Sequence, residues 1–351
     1  MQIIRLRALS PTLARYVAKT IKDGKIVVLP TETVYGIGAN AFDANACRRI
    51  FRIKGRKRDN PLIVHVSSME MAKSIGYIPR KYESAIKRAW PGPISFVVKR
   101  RAKLPSIVTA GLDTVSIRMP DNKVMLALIR YAGVPIAAPS ANLSKRPSAT
   151  SIRHIPKSIL DKVDIIIDAG RTKHGLESTV LDLRTFTLLR PGAFTLENIR
   201  KYFGRFPKVP GAILSGKEAK RAISPGMKYR HYSPETPIFI YTGRPDKISD
   251  ALSRARGKFA FVGSRQTAYR IRAMPHKDVI IGDRNRPNQI ARNLFDGLIR
   301  VDGTSSDFAV SETFAEKGLG LAIMNRLRKA ADGRTFRTAR ELERLIKSSR
   351  R

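Results

Sequence analysis

Short runs of apolar residues alternate with amphipathic stretches along the 351-residue chain, a pattern typical of α/β proteins. Ser10-Pro11 is an N-cap followed by proline at the first helical position, and Gly24 ends that helix. The pattern in the first 204 residues predicts strands at 25–29, 62–66, 94–98, 115–118, 135–138, 165–168, 179–183 and 187–190. It predicts further helices at 43–54, 69–76, 81–89, 122–132 and 195–203.

The alternation stops between Arg205 and Pro237, a stretch with five prolines and three glycines that predicts a long linker. A second α/β pattern follows this linker. Its predicted strands are 238–241, 259–262 and 279–281, and its predicted helices are 246–255, 287–300, 317–331 and 338–348. The chain is therefore expected to form an α/β domain over 1–204, a linker over 205–237 and a smaller α/β domain over 238–351.

Charge changes this picture, because 67 Lys and Arg against 28 Asp and Glu leave a net charge of +39 spread over both halves. Such a field attracts nucleotides and RNA, although a generally basic composition explains it equally well. One cysteine excludes an intrachain disulfide and a zinc ribbon, and the five histidines show no metal-ligand spacing. No signal-peptide core or long apolar run is present, so a cytoplasmic protein is expected.

The glycine-rich motifs exclude two nucleotide folds. The segment from Gly36 to Ala41 (GIGANA) matches the dinucleotide pattern loosely, but Gly36 does not directly follow the strand. Asp59, about twenty residues further on, lies in a basic loop and not at a strand end. A nicotinamide site is therefore not expected. The sequence also lacks the G-x-x-x-x-G-K-[ST] loop of P-loop enzymes.

Polar residues follow several predicted strands, where open α/β sheets bind ligands. The segment PTETVYGIG (30–38) offers the hydroxyls of Thr31 and Thr33, and 54–58 carries four cations that suit polyphosphate or are simply a solvated charged loop. Arg118 ends a strand and can hold a carboxylate in a bidentate pair. Ser140, Asn142 and Ser144 follow another apolar strand. Their convergence on one edge of a sheet predicts a binding site.

Together these motifs identify a known family. PTETVYGIGANA, KGRKRDNPLIVHV, GLDTVSIRMP, VPIAAPSANLSKRPSAT, HGLESTVLDL and LLRPG resemble the YrdC/TsaC-like threonylcarbamoyl-AMP synthases. SPGMKYRHYSP (224–234) and GLGLAIMNRL (318–327) resemble the linker and the C-terminal domain of the two-domain form. The resemblance implies an N-terminal twisted α/β sheet with a concave positive face and a smaller Rossmann-like C-terminal domain.

The resemblance also implies an activity. The family joins L-threonine, bicarbonate or CO2, and ATP into L-threonylcarbamoyladenylate and diphosphate, with Mg2+ accompanying ATP. A separate transferase then uses the product to form N6-threonylcarbamoyladenosine in tRNA, and direct tRNA contact stays open. Apart from the resemblance, the aromatic and cationic residues between Pro225 and Pro234 suit an active-site flap within the linker, 205–237, with a structural strap between the domains as the alternative. Two alternatives remain: an RNA-binding module without ATP chemistry, and a hydrogenase-maturation carbamoyltransferase, whose zinc fingers need more cysteines than Cys47.

Residue roles follow from the resemblance alone. The residues that would bind threonine are Thr33, His65, Arg118, Ala138 and Ser178. Those that would bind ATP are Arg56, Asn60, Thr114, Ser140, Asn142, Ser148, Arg190, Tyr229, Arg230 and His231. Lys54 and Arg56 would face the triphosphate as the catalytic cations, and no residue is expected to serve as a dedicated metal ligand.

The chain departs from the family pattern at three positions. Lys57 and Ala149 stand where proline is usual, and Lys145 stands where glycine is usual. If residue 145 needs a positive φ, a lysine there costs roughly 1 kcal/mol. The 145–149 loop is therefore expected to differ in geometry from the family pattern.

Overall fold

A computed structural model describes residues 2–6, 9–216 and 231–349, which fall into two compact units. The first unit contains described residues 2–144 and 148–213, and the second contains 145–147, 214–216 and 231–349. Among the described residues, no helix combines the length and apolarity needed to cross a membrane. The division into domains at 204 and 237 stays a prediction.

The first unit is built on one mixed ten-stranded sheet. Its strands are β1 (Gln2–Arg5), β2 (Val27–Leu29), β3 (Gly36–Asn40), β4 (Ile63–His65), β5 (Ile94–Lys99), β6 (Thr114–Arg118), β7 (Ile136–Ala137), β8 (Ile165–Asp168), β9 (Thr179–Asp182) and β10 (Thr187–Arg190). They lie in the order β1-β8-β2-β3-β7-β4-β6-β5-β9-β10. The central pairing of β4 with β6 is parallel and sets His65 opposite Arg118.

Nine helices are described from α1 to α9, the last of which, Gly211–Ser215, follows the sheet. The others are α1 (Pro11–Lys22), α2 (Ala44–Lys54), α3 (Met69–Ile75), α4 (Arg80–Ala89), α5 (Ser106–Thr109), α6 (Lys123–Ala132), α7 (Lys157–Leu160) and α8 (Leu196–Phe203). The predicted caps hold: Ser10 Oγ accepts a hydrogen bond from Leu13 N at 3.2 Å, and the Asp43 carboxylate caps α2. Gly55 ends α2 in the left-handed conformation, at φ 59°.

The core of this unit forms where α1 and α6 pack on the sheet. Val17 and Ile21 of α1 are fully buried with Leu128 of α6 and Ile167 of β8. Each such side chain contributes about 1.5–3 kcal/mol by leaving water. The helix spacing that the sequence predicts therefore brings two apolar faces onto one side of the sheet.

One part of the expected site is a strand and not a loop. Gly36–Asn40 forms β3, antiparallel to β2, with Val28 opposite Ile37. A Cβ at Gly38 would lie 2.4 Å from a Leu29 methyl group, so only glycine fits against the neighbouring strand. Two of its five residues are glycines, which are uncommon in strands, and the sequence pattern therefore did not predict this strand. Because Gly36–Asn40 is itself a strand, this glycine motif does not form the strand-to-helix turn that a dinucleotide site requires.

The second unit is a five-stranded sheet in which every pairing is parallel. Its strands β11 (Ile238–Tyr241), β12 (Phe259–Ser264), β13 (Lys277–Gly282), β14 (Phe308–Ser311) and β15 (Thr335–Phe336) lie in the order β13-β12-β14-β11-β15. Its helices are α10 (Ile248–Leu252), α11 (Arg265–Arg270), α12 (Pro287–Asp302), α13 (Gly320–Ala330) and α14 (Ala339–Ser349). The predicted second α/β domain is confirmed.

The sequence patterns missed the middle of this second sheet. The four residues of β14 are buried between β12 and β11, yet they form a run too short to stand out from the polar loops around it. The predicted linker also contains ordered backbone. Lys208 N donates to Phe186 O at 3.0 Å, and Leu188 N donates to Lys208 O at 2.8 Å. Lys208 therefore forms a bridge with Thr187 at the edge of the first sheet.

Candidate active site

The loop between β2 and β3 is held in shape by its own hydroxyl groups. Thr31 Oγ1 accepts hydrogen bonds from Thr33 N at 3.1 Å and Val34 N at 3.2 Å, and it donates to Val34 O at 2.6 Å. This is the local turn that threonine favours when its hydroxyl bonds the backbone two or three residues ahead. The turn buries the side chains of Glu32 and Thr33.

Arg118 is the centre of the polar cluster beside that loop. It ends β6, and its side chain is only 4% exposed. Its Nη1 donates to Thr33 Oγ1 at 2.9 Å, its Nε donates to Gly92 O at 3.3 Å, and its Nη2 lies 2.6 Å from Glu32 Oε1. A buried guanidinium that is held by two hydrogen bonds and compensated by one carboxylate is prepared to meet a planar anion such as a second carboxylate.

His65 lies on β4, between β6 and β7. Its burial, and secondarily the charge of Arg118, lowers the pKa of His65 to about 3. The ring is therefore neutral at physiological pH. His174 is also kept neutral, because burial lowers its pKa, and its backbone N donates to Glu32 O at 2.9 Å. Arg118 and Glu32 thus carry the charge of this cluster.

A second polar cluster joins β9 and β10. Arg190 donates from Nε and Nη2 to Ser178 O at 3.0 and 2.9 Å, and Ser178 Oγ shares a 2.8 Å hydrogen bond with Ser95 Oγ. Ser148 Oγ donates to Glu177 Oε1 at 2.8 Å. A Cβ at Gly192 would lie 2.4 Å from Glu177 O, so the backbone passes this turn too closely for any side chain.

The cationic loop after α2 is ordered by two of its four cations. Lys54 is buried, and its Nζ donates to the backbone oxygens of Ser140 and Asn142. Burial, and then the charge of Arg56, lowers the pKa of Lys54 well below its usual range. Arg56 Nη2 donates to Asn60 Oδ1 at 2.6 Å, and its Nε donates to Asn60 O at 3.0 Å.

The other two cations of this loop, Lys57 and Arg58, are exposed. A solvated charged loop does not describe Lys54 and Arg56, which donate to named acceptors.

Known proteins with this arrangement place the chain in a family. A model described as "Telomere recombination" matches residues 19–192, and a model of the threonylcarbamoyl-AMP synthase C-terminal domain matches 194–332. The threonylcarbamoyl-AMP synthase of Pyrococcus abyssi is 43% identical over 327 residues, which are 92% of this chain and 95% of that protein. The chain belongs to the threonylcarbamoyl-AMP synthase family.

Other relatives agree with this assignment. The threonylcarbamoyl-AMP synthase of Bacillus subtilis is 41% identical, over 91% of this chain and 93% of that protein. The crystal structure of Pyrococcus abyssi Sua5 complexed with L-threonine superposes with a TM-score of 0.88 at 41% identity, and covers 96% of this chain and 99% of that one. The two-domain form that the sequence motifs resemble is therefore confirmed.

The structure brings many of the predicted site residues into contact. Thr33 and His65 flank Arg118, the Lys54 ammonium binds the backbone of 140–142, Arg56 binds Asn60, and Arg190 binds Ser178. Thr114 is buried at the start of β6, and Ala138, which follows β7, donates from its N to Ile63 O at 3.0 Å.

Of the three linker residues assigned to ATP, only His231 lies within the described residues. His231 belongs to the second unit, where its ring lies 5.5 Å from that of Tyr232. Tyr229 and Arg230 lie outside the described residues. Their assignment to ATP therefore stays a prediction, as does the flap.

Sequence reasoning missed three residues of these clusters: Glu32, Ser95 and Glu177. Glu32 lies between Thr31 and Thr33, two residues that the sequence analysis did single out. An acidic residue within a motif expected to form a basic site was the signal that could have identified it. Lys145, which stands where the family usually has glycine, adopts a positive φ of 73°. The strain that the sequence analysis made conditional on a positive φ therefore applies to this residue. Ala149 is buried, and its O accepts a hydrogen bond from Tyr35 N at 2.8 Å.

Proposed function

We propose that this chain is a threonylcarbamoyl-AMP synthase that converts L-threonine, CO2 or bicarbonate, and ATP into L-threonylcarbamoyladenylate and diphosphate. The observation that carries the proposal is Arg118, a buried guanidinium held by Thr33 and Gly92 at the end of β6. It lies in a fold that superposes on a relative complexed with L-threonine. Two relatives that match more than nine-tenths of this chain are named threonylcarbamoyl-AMP synthases, which supports the same reaction.

In this proposal Arg118 binds the threonine carboxylate. Thr33 and the neutral ring of His65 lie beside Arg118 and complete the pocket with Ala138 and Ser178. His65 Nδ1 makes no hydrogen bond to the described residues, so a substrate hydroxyl can partner it. A neutral ring adds hydrogen bonding without adding a second positive charge next to the guanidinium.

The reaction needs few catalytic groups. The threonine ammonium first loses a proton to solvent, the free amine attacks CO2, an N–C bond forms, and a second proton leaves to solvent to give a carbamate. A carbamate oxygen then attacks the α-phosphorus of ATP, an O–P bond forms, and the bond to diphosphate breaks. Adenylyl transfer of this kind depends mainly on positioning and on stabilisation of charge. The described clusters supply cations, hydroxyls and backbone amides for both purposes.

The cationic residues divide this work between them. Lys54 holds the backbone of Ser140 and Asn142 and thereby shapes the segment that would face the nucleotide. Arg56 would bind the triphosphate together with Asn60 and Thr114. Ser148 and Arg190 would contact ATP from the β9–β10 side. Any charge that develops on the leaving diphosphate would meet Arg56.

Magnesium would enter as part of the ATP substrate. Within the described residues no group of three or more His, Cys, Asp or Glu side chains could hold a metal ion. The cations and hydroxyls present suit phosphate oxygens, and Mg2+ commonly binds substrate phosphates with few protein ligands. The adenylate would pass to a separate cytoplasmic transferase that modifies tRNA.

Diphosphate release tests the proposal. Release should require threonine, bicarbonate and Mg2+ together with ATP, and omission of any one should reduce it to background. Valine is a matched control, because it replaces the hydroxyl of threonine with a methyl group. Release that is independent of threonine would refute the proposed function. An RNA-binding module without ATP chemistry would release no diphosphate under any of these conditions.

A further inference from the structure

Glu32 faces Arg118 in an unusual way. The Glu32 side chain is 2% exposed, and its Oε1 lies 2.6 Å from Arg118 Nη2. Within the described residues, neither oxygen of this carboxylate nor Arg118 Nη2 makes a hydrogen bond of good geometry. Buried charged groups nearly always have such partners. The two groups are thus close enough for charge compensation, yet both keep hydrogen-bonding capacity for a third group.

The same unit contains a properly formed pair for comparison. Asp182 is 3% exposed and accepts from Arg184 Nε at 3.1 Å and Nη2 at 2.8 Å, one bond to each oxygen. This is the parallel fork of two hydrogen bonds that an arginine and a carboxylate commonly adopt. The Glu32–Arg118 contact lacks that fork.

The charges around Arg118 cancel. Glu32 compensates the guanidinium, and burial lowers the pKa values of His65 and His174, so both rings are neutral. Further out, Lys173 and Asp121 pair with each other at 3.6 Å. Among the described residues, the charged groups in direct contact with the Arg118 guanidinium therefore sum to zero, and Arg190, which bonds Ser178 Oγ at 3.1 Å, belongs to the second cluster. A zwitterion leaves that balance intact, whereas a simple carboxylate brings a negative charge that nothing compensates.

We propose that Glu32 is a specificity-determining residue that makes the pocket select an α-amino acid zwitterion over a carboxylic acid that lacks the amine. It does so by neutralising Arg118 and by holding Nη2 open to the ligand carboxylate. Glu32 acts on the ligand through Arg118 and through the charge of the pocket. This inference rests on the proposed function, which places the threonine carboxylate on Arg118.

Two ligands and two variants test it. Calorimetry, with competition where binding is weak, would measure the affinity of L-threonine and of 3-hydroxybutanoate, which is threonine without its amine. Glu32→Gln keeps the shape of the side chain and removes its charge. We expect the ratio of threonine to 3-hydroxybutanoate affinity to fall at least tenfold, because the site gains a net positive charge that favours the anion. Asp182→Asn, the matched loss of a buried carboxylate, should change this ratio less than twofold.

An unchanged ratio in folded Glu32→Gln would overturn the inference and leave Glu32 as an ordinary structural ion pair. Should that variant fail to fold, Glu32→Asp decides the matter, because it keeps the charge and lengthens the contact. Threonine affinity should then fall while the ratio stays within threefold, and a tenfold fall in the ratio would overturn the inference. Failure of wild-type protein to bind threonine would instead count against the proposed function, so the two failures are separable.

Discussion

His65→Gln replaces a histidine that is buried as a neutral ring with a side chain that does not titrate. Burial lowers the pKa of His65 to about 3 in the folded protein, whereas an unfolded histidine titrates near 6.5. Between pH 6.5 and pH 3 the histidine binds a proton in the unfolded chain but not in the folded chain. The free energy of unfolding therefore falls as the pH falls through this range. The slope for one proton is about 1.4 kcal/mol per pH unit. Wild-type protein should therefore lose about 2 kcal/mol more than the variant between pH 7 and pH 5.

Urea unfolding followed by tryptophan fluorescence measures this difference. The sequence contains one tryptophan, Trp90, which is buried in the first unit with His65. Its signal therefore reports the unit that holds the perturbed residue. His65→Phe is the control, since it also removes the titration but alters packing differently. Both variants should show the same shallower dependence on pH, whatever their stability at pH 7. Parallel curves for wild-type protein and both variants would refute the assignment of a buried neutral ring.

Further predictions follow from other contacts. Lys145→Gly should raise the free energy of unfolding by up to about 1 kcal/mol, because φ is 73° at this residue; thermal unfolding beside Lys145→Ala, which keeps the strain, checks it. Arg118→Lys should weaken threonine binding more than ATP binding, since one ammonium cannot replace the fork, and equal losses in calorimetry would contradict the role. Arg56→Ala should weaken ATP binding about ten- to hundredfold, the loss of a charge-assisted contact of about 1.5–3 kcal/mol, and Lys54→Met should weaken it too, because it removes the bonds that hold the backbone of residues 140 and 142. The exposed Arg52→Ala should leave ATP affinity within twofold, and unchanged affinity in all three would favour a solvated loop.

Local signals predicted much of the fold because local physics determines those features. The Ser10 and Asp43 caps mark the starts of α1 and α2, and Gly55 marks the end of α2. Long amphipathic helices such as Pro287–Asp302 carry enough periodic residues for their faces to be identified. The strands missed are Gln2–Arg5, Gly36–Asn40, Phe308–Ser311 and Thr335–Phe336. Each has at most five residues and pairs with a strand that is distant in the sequence.

The site was predictable in its residue types and not in its pairings. Arg118, Lys54 and Arg56 were singled out because each stands in a polar motif at the end of a strand or helix, and their roles toward threonine and ATP stay predictions. That Glu32 compensates Arg118 could not be predicted, because residues 86 positions apart meet only after β2 and β6 enter one sheet. Likewise, the Lys54 ammonium binds backbone oxygens of 140 and 142, which carry no signal in the sequence.

Mass spectrometry of the reaction products tests the central claim most directly. The protein would be incubated with ATP, Mg2+, L-threonine and carbon-13 bicarbonate, and the mixture analysed at once because the adenylate hydrolyses readily. The account predicts a species that contains AMP, threonine and one labelled carbon, formed with an equal amount of diphosphate and absent when threonine or bicarbonate is omitted. Intact ATP in the complete mixture, or AMP formed without incorporation of the labelled carbon, would contradict it.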